Sequence, residues 1–202
     1  MADLLSKLRM LDAAPKRPAQ AKPEGAAQGC YRSQALFPLS SFTDLRHLKS
    51  EVMQSAFGFP VPPRLSPQDI LFLDTETTGL AGGAGTVAFL VGLGYFTSGG
   101  FAVEQVLMRD YGQEDELLRA VAARAKRYPM LSTFNGRTFD APLLASRFAI
   151  NRIAASLPSL HADVLYPARR LWKLRLKSCT LGNLETQLLH VSREDDLPGA
   201  EV

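Results

Sequence analysis

The sequence predicts an α/β fold built on a mixed sheet, and three observations carry that expectation. ILFLDTE (70–76) is an apolar run ending in acid, the pattern of a buried strand. TVAFLVGLGYF (86–96) and FAVEQVLM (101–108), joined by an SGG turn, extend it into a three-strand antiparallel meander. EDELLRAVAARAKR (114–127) is strongly helical and leads to MLSTF (130–134), a fourth strand returning beside the first through a helical crossover.

Each element follows from local chemistry. Residues 1–69 form a leader holding eight of the 13 prolines. It opens with Leu4, Leu5, Leu8 and Leu11 at helical spacing, a short amphipathic helix suited to docking, fraying or contact with a protein partner. PKRPAQAKPEGAAQG (15–29) lacks the apolar residues of a core and reads as linker. Phe37, Phe42, Leu45, Leu48, Phe57 and Phe59 suit a meandering extension packed on the main domain, and VPPRLSPQD closes the leader. TGLAGGAG after the first strand is a turn. In the 114–127 helix acids come first and bases last, as the helix dipole favours, with Leu117, Leu118, Val121 and Ala125 on the buried face. DAPLLASRFAINRIA (140–154) is a second helix with Pro142 in its first turn. SLHADV (159–164) is a short strand or extended segment. Residues 167–175 are a basic helix, and TLGNLETQLLH (180–190) is a further helix with Leu181, Leu184 and Leu188 on one face.

The totals narrow the function classes. Of 202 residues, 46% are hydrophobic, a globular composition. The formal charge of +3 permits a nucleic-acid partner without requiring one. The leader carries nine basic and six acidic residues, so residues 70–202, with 14 of each, are formally neutral. Cys30 and Cys179 have no metal-ligand spacing and read as free thiols. No signal peptide or membrane-length apolar run is present, and the expected location is the cytoplasm.

The chemistry concentrates on three carboxylates. Asp74 and Glu76 lie two residues apart on a strand and so project from one face. Such a pair is costly unless neutralised, and Mg²⁺ or Mn²⁺ does this with oxygen ligands. Solvated surface acid is the competing reading of an isolated Asp-x-Glu. It is weaker here because the pair ends an apolar run. Asp140 offers a third ligand from the corner after the fourth strand. A metal so held activates water and stabilises a leaving oxygen.

The neighbours have paired readings. Thr77 bonds backbone groups or a terminal nucleotide. Asn135 orients Asp140, binds substrate or simply makes the Asn-Gly turn. Arg137 reaches phosphate or sits as an exposed charge. Phe139 is expected in the core rather than against a base. Asp163 binds metal indirectly, orients a water or caps the next helix, and His161 is a base or a structural group. Arg169, Arg170, Lys173, Arg175 and Lys177 form a basic run around Trp172. That run tracks phosphates while the aromatic stacks, or it is a solvated helix face with Trp172 in the core. A Ser-His-Asp or zinc site gains no support.

LFLDTETTGL (71–80) resembles the first motif of DEDD-type 3′→5′ exonucleases, and TFNGRTFDAPLL (133–144) resembles their second. With GTVAFLVGLGYF, VEQVLMRDY, LHADVLYPARRLWKLRLKSCTLGNLE and REDDLPG, residues 70–199 look like a bacterial family of ribonuclease-H-like, exonuclease-like domain proteins. The resemblance implies a ribonuclease-H-like mixed sheet, a meander plus parallel strands with helices on its faces. It also implies a two-metal hydrolase acting on DNA or RNA from a single-stranded 3′ end. Asp74, Glu76 and Asp140 match its first three acidic ligands. Asp163 matches an acidic position of less defined role. The fourth ligand is expected on a late helix beyond LPG, following a His or Tyr that orients water. His190 comes too early for it, and Asp195 and Asp196 match no such motif. The sequence stops at Val202, so the domain 70–202 is expected to lack its last helix. Three functions therefore stand in order: a metal-dependent 3′→5′ exonuclease, a non-catalytic nucleic-acid-binding module, and an adaptor or structural protein.

Overall fold

A computed structural model of the chain describes residues 29–39, 49–79 and 85–191. The helix expected at Leu4–Leu11, the anchors Phe42, Leu45 and Leu48, residues 80–84 of the glycine turn, and Asp195 and Asp196 lie outside the described residues.

The described sheet has six strands: β1 (Tyr31–Phe37), β2 (Ile70–Thr77), β3 (Ala88–Thr97), β4 (Gly100–Leu107), β5 (Met130–Thr133) and β6 (Leu160–Asp163). Their spatial order is β1-β4-β3-β2-β5-β6. The pairs β1–β4, β4–β3 and β3–β2 are antiparallel, and β2–β5 and β5–β6 are parallel. The expected meander and the return beside the first strand are both present. The helices are α1 (Ser50–Phe57), α2 (Glu114–Ala125), α3 (Asp140–Ile150), α4 (Leu165–Leu176) and α5 (Leu181–Leu184).

The segment before residue 70 contributes more than packing. YRSQALF forms β1, paired with β4 from Tyr31↔Leu107 to Phe37↔Phe101. Its residues alternate between half-buried and exposed, as an edge strand does. Glu116 of α2 anchors its start by accepting the Cys30 amide at 3.0 Å. SEVMQSAF forms α1, which buries Met53 and ends at Gly58, where φ of 74° suits glycine.

Two cores flank the sheet. Leu71 and Leu73 of β2 join Leu117, Leu118, Val121, Leu144 and Phe148 of α2 and α3 on one face. On the other face Ile70 packs with Met53, Val61, Met130 and Ala162, and Phe57, Phe59 and Phe72 support them. Phe72, Phe96 and Phe101 meet edge to face, with centroids 4.8–6.3 Å apart. Gly94 makes room, since a Cβ there would stand 2.6 Å from the Phe101 ring.

Several helix ends differ from the sequence expectation. The second helix stops at Ile150, because Arg152 turns left-handed (φ 55°) and the Ile153 amide reaches back to Phe148 O at 2.9 Å. The helix expected over 180–190 divides into α5 and one wide turn over Glu185–Leu189. Leu184 is buried there, whereas Leu181 is 40% exposed.

Glu114 at the start of α2 binds Arg147 of α3 through Nε–Oε1 at 2.5 Å and Nη2–Oε2 at 2.6 Å. Burial pushes its carboxyl up, but hydrogen bonds from Arg147 and Asn151 outweigh this and hold it below its ordinary value of 4.5. The pair clamps the two helices over the sheet. Glu114→Gln is expected to lower unfolding free energy by about 2–3 kcal/mol near pH 7, below the full cost of breaking a wholly buried pair. A depressed carboxylate stabilises above its unfolded pKa and loses that contribution as pH falls through the folded one. Urea titrations should therefore show the gap between the two proteins narrowing on acidification. A gap that is constant down to acid pH contradicts this account.

Candidate active site

The acidic corner arises from unequal strand lengths. Parallel pairing of β2 with β5 ends at Phe72↔Ser132, while β2 runs on to Thr77. The carboxyl end of β2 thus opens on the side that β5 has left, at the switch between antiparallel and parallel neighbours. Such crevices are where open α/β sheets bind ligands.

Side chains alternate along β2, so Asp74 and Glu76 share the face of Ile70 and Phe72, and Thr75 takes the opposite one. Asp74 is exposed and Glu76 half-buried. The register slips immediately after Glu76: Glu76 faces Leu90 and Thr77 faces Ala88. The extra residue is Phe89, whose carbonyl accepts the Met108 amide at 2.8 Å. A bulge here re-aims the end of the strand beside the acids.

Asp140 opens α3 and is only 8% exposed. It accepts the Thr75 hydroxyl at 2.5 Å, and the Thr75 backbone amide also stabilises its carboxylate. Thr75 is the residue between the two acids, so it fixes the third carboxylate to their strand. Burial raises the Asp140 pKa, the Thr75 and backbone hydrogen bonds oppose this, and the nearby Asp163 charge raises it further. Gly136 fits under this carboxylate because a Cβ would stand 2.7 Å from Asp140 Oδ2 and 2.6 Å from Thr133 Cβ.

Carboxylate oxygens at this corner are of the type that hard divalent cations select. Among the described residues, however, no three His, Cys, Asp or Glu side chains stand together as a ready metal cage. Asp74 and Glu76 supply a donor pair on one face, and Asp140 is held from the Thr75 side.

Asp163 has a different task. It is 2% exposed and accepts three backbone amides: Asn135 at 2.8 Å, Arg137 at 3.0 Å and Leu165 at 3.1 Å. It ties the turn after β5 to the start of α4. The helix N-cap position itself is Val164, without a side-chain cap, and Asp163 instead bonds the Leu165 amide from the residue before it; the bonds to the turn are an addition the sequence did not signal. Asn135 is left-handed (φ 66°), and its side chain accepts the Thr138 hydroxyl at 3.1 Å, a turn role. His161 Nε2 bonds Thr133 Oγ1 at 2.8 Å. Burial, aided by Arg137, lowers its pKa against the pull of Asp163 and Asp140, so the imidazole is neutral at pH 7. Thr77 donates to Gly79 O at 3.0 Å.

Phe139 corrects an expectation: it is 58% exposed rather than in the core. It precedes α3, where the turn aims it outward. Arg137 is exposed, with its guanidinium 6.0 Å from the Tyr166 ring centroid.

The basic run divides around α4. Arg169, Lys173 and Lys177 line a cleft of about 500 Å³ with Phe134, Asn135 and Thr180. Arg170, one residue round the helix, instead donates to Ser55 O of α1 at 2.7 Å. Trp172 is half-buried and does not line that cleft. Both cysteines are free, and Cys179 borders the cleft. No helix among the described residues is long and apolar enough to cross a membrane.

A mixed sheet with helices on both faces and acids at the carboxyl end of its central strand is the ribonuclease-H-like α/β architecture. The family profile of the RNase H superfamily matches residues 71–202, and the chain belongs to that superfamily. It is also 33% identical over 181 residues to the uncharacterized protein YprB of Bacillus subtilis (strain 168), an alignment covering 84% of this chain. The chain spans 43% of the length of that relative. Membership suggests nucleic-acid-processing nuclease activity, and nucleases of this superfamily usually use divalent metals.

Proposed function

We propose that the domain hydrolyses nucleic-acid phosphodiesters with Mg²⁺ or Mn²⁺, releasing nucleotides from a single-stranded 3′ end as DEDD-type exonucleases do. One observation carries the reading: Asp140 is hydrogen-bonded to Thr75, the residue between Asp74 and Glu76. This ties the third carboxylate to the strand that carries the other two, from the face opposite them. Asp74, Glu76 and Asp140 would hold the metal, which supplies an activated water and charge neutralisation at phosphate. Thr75 positions Asp140. His161, bonded to Thr133, is read as a structural support beside the corner. The free thiols suit a reducing compartment such as the cytoplasm.

The test is loss of a 3′ label from single-stranded DNA and RNA with Mg²⁺, with Mn²⁺ and with EDTA. Metal-dependent release from the 3′ end is expected. Cleavage that persists in EDTA, or begins internally, sinks the proposal. The absence of a ready cage among the described residues favours a second reading, a binding module that does not cut. Tight binding without cleavage under any metal would select it.

Phe139 offers a stacking surface in either reading. Phe139→Ala is expected to weaken binding of a short single strand by roughly five- to 150-fold, the range for loss of one base–aromatic stack. Its melting temperature should stay close to wild type, because the ring is already exposed. Unchanged affinity in fluorescence anisotropy would remove Phe139 from the interface.

A further inference from the structure

We infer that the cleft between α4 and the turn after β5 is a metal-independent site for the phosphates of a single nucleic-acid strand, separate from the phosphate at the acidic corner. The inference rests on nucleic acid being the substrate and adds where and how the strand is held. Arg169 and Lys173 are one helical turn apart, and Lys177 follows at the helix end. At 1.5 Å per residue they succeed each other about every 6 Å along the axis. That separation is comparable with that of successive phosphates on an extended strand. All three are exposed, and none forms an ion pair among the described residues. The cleft holds about 500 Å³, too much for a lone ion and enough for nucleotide units.

Its walls fit the same ligand. Phe134 and Asn135 form one side, on the turn that leads within five residues to Asp140. Ser178 and Thr180 bring hydroxyls to the other side. A strand lying there runs beside the turn that leads to Asp140. The cations come from a domain that is formally neutral overall, so this concentration is local. Arg170, bound to Ser55, is excluded from the track although it is in the same basic run.

Affinity here needs no metal, and this separates the site from the acidic corner. Three phosphate contacts to a single strand give a salt slope of ~2, hence a roughly 20-fold loss of affinity between 50 and 200 mM salt. Lys173→Glu with Lys177→Glu leaves about one contact, and the same salt change should then cost only ~3-fold. Cys179 at the cleft edge is an internal reporter. Its half-buried thiol should be alkylated more slowly when the strand is bound, while Cys30, against Gln113 O beside α2, should not change.

The experiment uses the full chain, EDTA and a labelled 12-nucleotide single strand. Binding is followed by anisotropy over salt, and thiol alkylation by mass spectrometry. Lys126→Glu with Arg127→Glu, exposed beyond α2, provides a control of equal charge change. Salt-dependent binding lost in the cleft variant but kept in the control, with protection of Cys179 alone, is the expected result. Equal losses in both variants, an unprotected Cys179, or a mononucleotide binding as tightly as the strand would overturn the site. The two proposals fail separately. Binding with Cys179 protection but no cleavage under any metal defeats hydrolysis alone. Metal-dependent cleavage with KM unchanged by the cleft substitutions defeats the cleft alone.

Discussion

Asp74→Asn should abolish metal-dependent release of a 3′ label, by on the order of 10³-fold or more, while the protein melts within a few degrees of wild type. The magnitude follows from the charge lost. A divalent ion at phosphate supplies several kcal/mol of stabilisation, and each 1.36 kcal/mol is tenfold in rate. Asparagine keeps the shape of the side chain and one carbonyl oxygen but not the anion. The stability half of the prediction is equally specific. Asp74 is exposed at the open end of β2, two residues from Glu76 on the same face. Removing one of two neighbouring like charges relieves repulsion when no cation is bound. Relief of that repulsion offsets the loss of the interaction Asp74 itself makes, so in EDTA the variant should melt within a few degrees of wild type. With Mg²⁺ present the wild type should gain stability and the variant should gain little, since a ligand binding only the folded state stabilises it. Cleavage that survives the substitution would move the site away from this corner. A large drop in melting temperature in EDTA would make Asp74 a structural residue instead.

The acidic pair was legible because strand periodicity is strict. A run of apolar residues ending in Asp-x-Glu fixes which side chains share a face, and the helical crossover fixes that β5 returns beside β2. Together they bring Asp140, far away in sequence, to the strand that carries the pair, where it bonds Thr75. The role of Thr75 was not legible. Alternation says that it points away from the acids, but not that a helix N-terminus arrives on that side. Phe139 misled for a related reason: an aromatic beside a helix start resembles a core residue until the Asn-Gly turn sets its direction. β1 was hidden because YRSQALF is an edge strand with no fully buried face, so its alternation is weak in hydrophobicity though plain in exposure. The basic run was visible in composition, yet its division needed the helix phase. One residue, about 100° of helix, separates Arg169 on the cleft from Arg170 on α1.

Asp163 joins these parts, and its removal should have the largest effect on stability. Its carboxylate is buried and accepts the amides of Asn135 and Leu165 on Oδ1 and that of Arg137 on Oδ2. Asp163→Ala leaves three amides without this acceptor, each costing about 1–3 kcal/mol when water does not replace it. With partial hydration of the turn, the expected loss is about 3–5 kcal/mol. In a chain of this size that lowers the melting temperature by roughly 10–15 °C. Asp163→Asn should fall between the two. Its carbonyl still serves Asn135 and Leu165, but its amide nitrogen meets the Arg137 N–H donor to donor. Hydrogen exchange should accelerate first at Asn135 and Arg137. The turn they form carries the chain to Asp140, and Asn135 also lines the basic cleft, so both substitutions should weaken cleavage and strand binding together, unlike Asp74→Asn. The measurements belong in EDTA, where a purely metal-binding Asp163 would leave stability unchanged. A melting temperature of Asp163→Ala within a degree or two of wild type would show that the turn stands without its carboxylate. The coupling of corner and cleft through this residue would then be lost.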